Sequence, residues 1–105
     1  MLTKQHRYSF RNGVPSKSSQ SPYFVLRFDR SDDLSCGIVV SKKIAGHAVD
    51  RNRIKRMYKS ILEAILKETP LSYALVFYVR KKSVEVTSEE LYQHIEQIFR
   101  KEGIM

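Results

Sequence analysis

The sequence predicts an α+β fold in which a small β-sheet packs, in two layers, against two helices. Two observations predict it. Short segments rich in aromatic and β-branched residues have the length of strands, whereas two longer segments carry apolar residues at three- and four-residue steps, the period of an α-helix. A chain of 105 residues suits one compact core, so residues 1–105 are expected to form a single domain.

The N-terminal part of the chain, residues 1–22, is polar and basic. Ser and Pro recur between Val14 and Pro22, a composition typical of irregular structure. We therefore expect an irregular or partly mobile arm, apart from a helical turn around Tyr8 and Phe10.

Two strands are predicted next. Residues 23–28 have the aromatic and β-branched composition of a strand, and residues 36–41 are a second apolar run. The segment between them, residues 29–33, is rich in Asp and Ser, which hydrogen-bond their own backbone in turns. This order predicts an antiparallel hairpin.

The second half of the chain predicts two helices separated by a strand. Residues 48 to about 67 carry an apolar stripe of period 3.6, and Pro70 would end that helix. Residues 73–80 are apolar enough for a strand in the middle of a sheet. Thr87 and Glu90 have the spacing of a capping box at a helix start. The last helix then has one apolar face, made by Leu91, Ile95, Ile98 and Phe99.

The charge of the chain indicates a polyanionic partner. Nineteen Lys and Arg against eleven Asp and Glu give a formal net charge of +8, which favours association with nucleic acid or an anionic membrane surface. No apolar stretch approaches the roughly 18–20 residues that span a bilayer, and the basic N-terminus lacks the apolar segment of a secretory signal. The single cysteine, Cys36, excludes an internal disulfide and is expected to be a small buried hydrophobe. A cytoplasmic protein is the simplest expectation.

The most informative segment is residues 41–59, whose seven Lys and Arg are opposed only by Asp50. On a helical wheel, Ile54 and Tyr58 fall on the apolar side, and the basic residues fall largely on the other. One interpretation is a solvated face. Like charges on a helix repel, however, and cations near its N-terminus oppose the macrodipole, so we favour a bound polyanion. Guanidinium and ammonium groups suit phosphates but leave RNA and DNA open.

Other chemistry is weakly supported. The three histidines, His6, His47 and His94, show no metal-ligand spacing with Cys36. Asp29, Asp32 and Asp33 could be read as a Mg²⁺ site, but in a turn of this composition local hydrogen bonding is the commoner role. The sequence contains no Gly-rich phosphate loop and no nucleophile motif, so we expect neither catalytic residues nor a metal site in this chain.

At the basic segment the chain resembles the protein subunit of bacterial ribonuclease P. The signature of that family is a lysine pair, a short loop, the pattern A-x-x-R-N-R-x-K-R and an amphipathic helix. This sequence has Lys42 and Lys43, a loop, and then the run Ala48-Val49-Asp50-Arg51-Asn52-Arg53-Ile54-Lys55-Arg56. The later strand followed by residues 80–82 and the last helix also match, so the resemblance covers roughly residues 23–101.

The resemblance implies a fold and a function. The fold is a small, mainly antiparallel sheet of about four strands with two or three helices and a left-handed β-α-β crossover through the basic helix. Only three strands are clear in this sequence. We expect the fourth near residues 84–86, or within a region that is counted above as a single element and should be split. Members of the family bind the catalytic RNA and the 5′ leader of precursor tRNA. The RNA, with Mg²⁺, hydrolyses the phosphodiester bond that frees the mature tRNA 5′ end, so the chain itself needs no cofactor and no obligate protein partner.

The family's functional positions carry over onto this sequence. The resemblance implies an RNA surface made by Lys42, Lys43, Arg51, Asn52, Arg53, Lys55, Arg56 and Lys59. The family's leader cleft uses aromatic residues of the first helix and first strand, and the candidates here are Tyr8, Phe10, Tyr23, Val25 and Arg27. Arg27 stands where the family often has an aromatic residue, and local core packing is an equal alternative for Tyr8 and Phe10.

Two other functions remain open. One is a general or ribosome-associated RNA-binding module with no role in tRNA processing. The other is a DNA-binding regulator with the basic helix in a major groove, against which the three strands and the missing helix-turn-helix pair argue.

Overall fold

The structure, a computed structural model, describes Tyr8 and residues 13–105. Its elements are four strands, a 3₁₀ turn and two helices: β1 Lys17–Gln20, β2 Phe24–Arg30, β3 Ser35–Val39, α1 Ala48–Glu68, β4 Tyr73–Val79, the 3₁₀ turn Lys81–Val84 and α2 Ser88–Lys101. The two-layer α+β fold is thereby confirmed. None of the described helices is both long and apolar enough to cross a membrane.

The four strands form one sheet in the order β1-β2-β4-β3. The pairs β1–β2 and β2–β4 are antiparallel, whereas β3 and β4 are parallel and are joined by α1. The predicted hairpin is therefore wrong, because β4 lies between β2 and β3. The reason is burial: Leu75, Val76 and Phe77 are fully buried, so β4 needs a neighbour on both sides.

The fourth strand is β1, which falls in the segment expected to be an irregular arm, so that expectation is wrong for Lys17–Gln20. The two other positions expected for the fourth strand, near residues 84–86 or within a region counted as a single element, are also wrong, since a 3₁₀ turn ends at Val84. The sequence of β1, KSSQ, has no apolar alternation. It forms by backbone pairing with β2, with Ser19 opposite Leu26, and such pairing leaves no signature in side-chain polarity.

Alternate residues of the central strands point to opposite faces of the sheet. Both helices pack on one face, where Leu26 and Phe77 are opposite each other and fully buried. The rings of Phe24 and Tyr58 lie 5.2 and 5.4 Å from that of Phe77, which joins sheet and α1. The other face, called here the open face because neither helix packs on it, carries Val25 and Arg27 of β2, with Tyr78 and the fully buried Val76 opposite them in β4.

The helix boundaries follow local rules. α1 ends at Glu68, where the Thr69 N–H donates to the Ile65 carbonyl and Pro70 prevents continuation. α2 begins after Thr87, whose Oγ1 accepts from the Glu90 N–H at 3.2 Å. The predicted Thr cap is confirmed.

Candidate nucleic-acid interface

Cations from three segments meet at one end of the sheet. Because β3 and β4 are parallel neighbours, the segments that follow them leave at the same end. Lys42 and Lys43 follow β3, residues 80–82 follow β4, and α1 begins there. We call this surface the basic end, and it comprises Lys42, Lys43, Arg51, Asn52, Arg53, Lys55, Arg56, Lys59, Arg80, Lys81 and Lys82.

The helix α1 contributes half of the cations of the basic end, and its apolar stripe faces the core. Its buried residues, Ile54, Tyr58, Ile61, Leu62 and Ile65, form one stripe, as the periodicity predicts. The opposite side is exposed at Asn52, Arg53, Arg56 and Lys59, and Lys55 is half-buried. The concentration of like charge in the first half of α1 costs stability in the absence of an anion. Phosphate groups would remove that cost.

Arg51 differs from the other basic residues of α1. It is half-buried, and its Nη1 donates to the carbonyl oxygens of Ala45 and Gly46, both at 3.0 Å. These bonds fold the side chain back over the loop that carries Lys42 and Lys43. Arg51 therefore stabilises the loop, and its remaining donors are what it can offer to a ligand.

The 3₁₀ turn is held against α1. Arg53 Nη2 approaches the Val84 carbonyl at 3.4 Å on the surface. Below it, the Tyr58 hydroxyl lies 2.8 Å from Ser83 Oγ, which donates to the Tyr23 carbonyl at 2.7 Å. Burial raises the pKa of Tyr58 to about 12, so this hydroxyl keeps its proton throughout the physiological range.

The structure separates the five leader-cleft candidates. Val25 and Arg27 share the open face, and Arg27 Nε donates to the Pro15 carbonyl at 2.8 Å. The ring of Tyr23 instead meets His94 of α2 edge-on at 4.7 Å, which places it on the helix side of the sheet. Tyr8 lies at the outer edge of β3, where its N–H donates to the Cys36 carbonyl at 2.9 Å. Phe10 lies outside the described residues.

The remaining ionisable candidates have local roles. Among Tyr8 and residues 13–105, no three His, Cys, Asp or Glu side chains cluster closely enough to hold a metal. Asp29, expected in a turn, instead belongs to β2 and accepts from the Ser16 N–H and hydroxyl, both at 2.7 Å. Cys36 is half-buried, and burial raises the pKa of its thiol to about 12.

The RNA surface predicted from the sequence omits Arg80, Lys81 and Lys82, which the fold brings to the basic end. All three are exposed at the basic end. The signal for them in the sequence is the run of three cations directly after an apolar strand. The sequence does not show that this strand lies next to β3, and this pairing is what brings the three cations to the basic end.

Comparison with known proteins matches this chain to one family. The family model described as ribonuclease P matches residues 2–103. The chain belongs to the ribonuclease P protein family. It is 33% identical over 111 residues to the ribonuclease P protein components of Bacillus cereus strain AH187 and Bacillus anthracis. The alignments cover 98% of this chain and 96% and 92% of those relatives. The resemblance seen in the basic segment is thus confirmed.

Solved ribonuclease P protein structures share the fold. The ribonuclease P protein from Thermotoga maritima superposes with a TM-score of 0.75 at 26% identity, over 90% of this chain and 96% of that one. A Staphylococcus aureus ribonuclease P protein, a mutant with defective mRNA degradation activity, superposes with a TM-score of 0.73 at 25% identity, over 85% and 76% of the two chains. The four-stranded sheet and two helices of this chain are therefore those of the ribonuclease P proteins.

Proposed function

We propose that this chain is the protein component of a ribonuclease P ribonucleoprotein and that it binds the catalytic RNA through the basic end. The observation that carries the proposal is the convergence of cations from α1, the loop after β3 and the segment after β4 on one end of the sheet. Cations spaced along one continuous surface match the regular phosphates of a nucleic acid better than a small anion.

The assignment to RNA comes from family membership, since charge alone does not separate RNA from DNA. Relatives aligned over 98% of this chain are named ribonuclease P protein component. This name supports ribonuclease P RNA as the partner, in preference to ribosomal RNA or duplex DNA.

The proposal extends to the 5′ leader of precursor tRNA, which would lie along the open face of the sheet. Support comes from Val25 and Tyr78, half-buried and opposite each other on that face. An unstacked base can stack on an aromatic ring such as that of Tyr78. Arg27 adds a guanidinium to the same face, while Tyr23 packs toward α2 and is a weaker candidate.

Within this proposal the chain is the non-catalytic subunit of an endoribonuclease. A guanidinium has five N–H donors and no acceptor, so the arginines of the basic end can hold phosphates but are not suited to act as general bases. Hydrolysis of the phosphodiester bond would be done by the RNA with Mg²⁺ bound to it, and no residue of this chain is assigned to that metal. The chain would position the RNA and its substrate.

The experiment is reconstitution of precursor-tRNA cleavage. The purified chain is added to a bacterial ribonuclease P RNA at a Mg²⁺ concentration too low for the RNA to act alone. We expect no cleavage by the chain, little by the RNA, and accurate 5′-end formation by the two together. Failure to stimulate any of several bacterial ribonuclease P RNAs would contradict the proposal.

Sequencing of the RNA that copurifies with the chain provides the second arm. Enrichment of ribonuclease P RNA is expected. Enrichment of ribosomal RNA in its place would indicate a general or ribosome-associated RNA-binding module.

A further inference from the structure

Ser83 forms a buried polar link between three parts of the chain. It is 0% exposed, in the middle of the 3₁₀ turn. Its Oγ donates its one proton to the Tyr23 carbonyl at 2.7 Å, which leaves the Tyr58 hydroxyl as the donor to Ser83 at 2.8 Å. The Tyr58 hydroxyl is also 3.4 Å from the Tyr23 carbonyl, a longer contact than either bond through Ser83. The link thus joins the turn to the start of β2 and to the buried side of α1.

The link lies directly beneath cations of the basic end. Lys81 and Lys82 precede Ser83 and are exposed, while Arg56 and Lys59 flank Tyr58 in α1 and are also exposed. The other bond between turn and helix, from Arg53 Nη2 to the Val84 carbonyl, is long at 3.4 Å and exposed to water. The buried hydroxyl pair is therefore the stronger restraint between the two groups of cations.

We propose that Ser83 and Tyr58 are positioning residues, which hold Lys81 and Lys82 at a set distance from the cations of α1. This inference rests on the proposed binding of RNA through the basic end. A rigid RNA presents its phosphates at fixed separations, and cations held at matching separations lose less conformational entropy on binding. Neither Ser83 nor Tyr58 can contact RNA directly, since both are fully buried.

The test uses Ser83→Ala and Tyr58→Phe in the full chain. Ser83→Ala removes both bonds of the link, whereas Tyr58→Phe keeps the ring in the core and leaves the Ser83–Tyr23 bond intact. Affinity for an in vitro transcribed bacterial ribonuclease P RNA is measured over a range of salt concentrations, together with the thermal melt. We expect Ser83→Ala to weaken binding by about fivefold to tenfold, with a smaller loss for Tyr58→Phe. The size follows from the usual cost of ordering two long side chains, here Lys81 and Lys82, on binding.

A double-mutant cycle separates positioning from a general loss of structure. In the Lys81→Ala, Lys82→Ala background the cations to be positioned are absent, so Ser83→Ala should change affinity less than twofold. An equal loss in both backgrounds, or no loss in the wild-type background, overturns the proposal. If Ser83→Ala does not fold, the same cycle is run with Tyr58→Phe.

The proposed function has its own control in this experiment. Arg53→Ala with Arg56→Ala should weaken binding whether or not Ser83 positions the turn. If that pair has no effect, RNA binding through the basic end is contradicted. If that pair weakens binding but the cycle shows no coupling, only the positioning inference fails.

Discussion

Arg51 folds back over the loop before α1, and its Nη1 lies 3.0 Å from the carbonyl oxygen of Ala45. The same nitrogen is 3.0 Å from the Gly46 carbonyl. Two carbonyl groups at the start of a helix are thus bonded by the first arginine of the R-N-R run. The three residues of that run therefore have different roles: Arg51 is half-buried and bonds its own loop, whereas Asn52 and Arg53 are exposed.

We expect Arg51→Lys to destabilise the fold although it keeps the charge. A lysine side chain is shorter and its ammonium is more strongly hydrated, so it should reach the two carbonyls less well, and the loss should lower the free energy of unfolding by about 1–2 kcal/mol. Denaturant unfolding measures it. The matched control is Arg56→Lys, an exposed position on the same helix, where the change should stay within about 0.5 kcal/mol. Equal effects at both positions would show that the loop contact contributes nothing.

Replacing Arg53 and Arg56 together by alanine should weaken RNA affinity and leave the thermal melt nearly unchanged. Both side chains are exposed, and the Arg53 contact with Val84 is long. Each lost phosphate contact should reduce the slope of log K against log salt by roughly one. The measurement is a filter-binding or fluorescence titration at several salt concentrations.

The control for this pair is Arg100→Ala with Lys101→Ala. It removes the same charge from the end of α2, which lies near the start of β4, because the Tyr73 hydroxyl approaches the Gly103 carbonyl. That is the opposite end of the sheet from the basic end. Equal weakening by both pairs would mean that net charge, rather than the basic end, governs affinity.

The thiol of Cys36 should be nearly inert in the folded protein. Burial raises its pKa from 9.0 to about 12, so the reactive thiolate is scarce at alkaline pH. At about pH 8 we expect modification by a soluble disulfide reagent to be roughly two to three orders of magnitude slower than in denaturant. A rate close to that of the unfolded chain would show that the thiol is accessible.

The contact between Ser16 and Asp29 should make stability depend on acid pH. Hydrogen bonds from the Ser16 backbone and then its hydroxyl lower the pKa of Asp29 below its ordinary 3.8. A lowered pKa means that the stabilisation is present above 3.8 and is lost as the pH falls through the folded-state value. Asp29→Asn should therefore be less stable than wild type at neutral pH, and the two should converge in strong acid.

Denaturant unfolding at neutral pH and at about pH 3 tests this expectation. Asp32→Asn removes the same charge from the exposed loop after β2 and should change stability little at neutral pH. A difference between Asp29→Asn and wild type that does not shrink in acid would indicate a packing effect.

Much of the fold is readable from periodicity. The stripe of α1, the Thr87 cap of α2 and the apolar run of β4 predict those elements close to their observed bounds, because each depends on local geometry or on burial of its own residues. β1 is missed because a polar edge strand depends on its neighbour's backbone. The false hairpin has a similar cause: strand order depends on which strand must be covered on both sides, and adjacency in sequence does not reveal this.

The candidate site divides in the same way. The sequence by itself determines a basic, amphipathic helix with a family signature, since charge and period are properties of the residues. Only the tertiary structure decides that residues 80–82 join that helix, that Arg51 turns back to its own loop, and that Tyr23 faces α2 while Val25 and Arg27 face the open side. The physical reason is the parallel pairing of β3 and β4, which brings segments about forty residues apart to one end of the sheet.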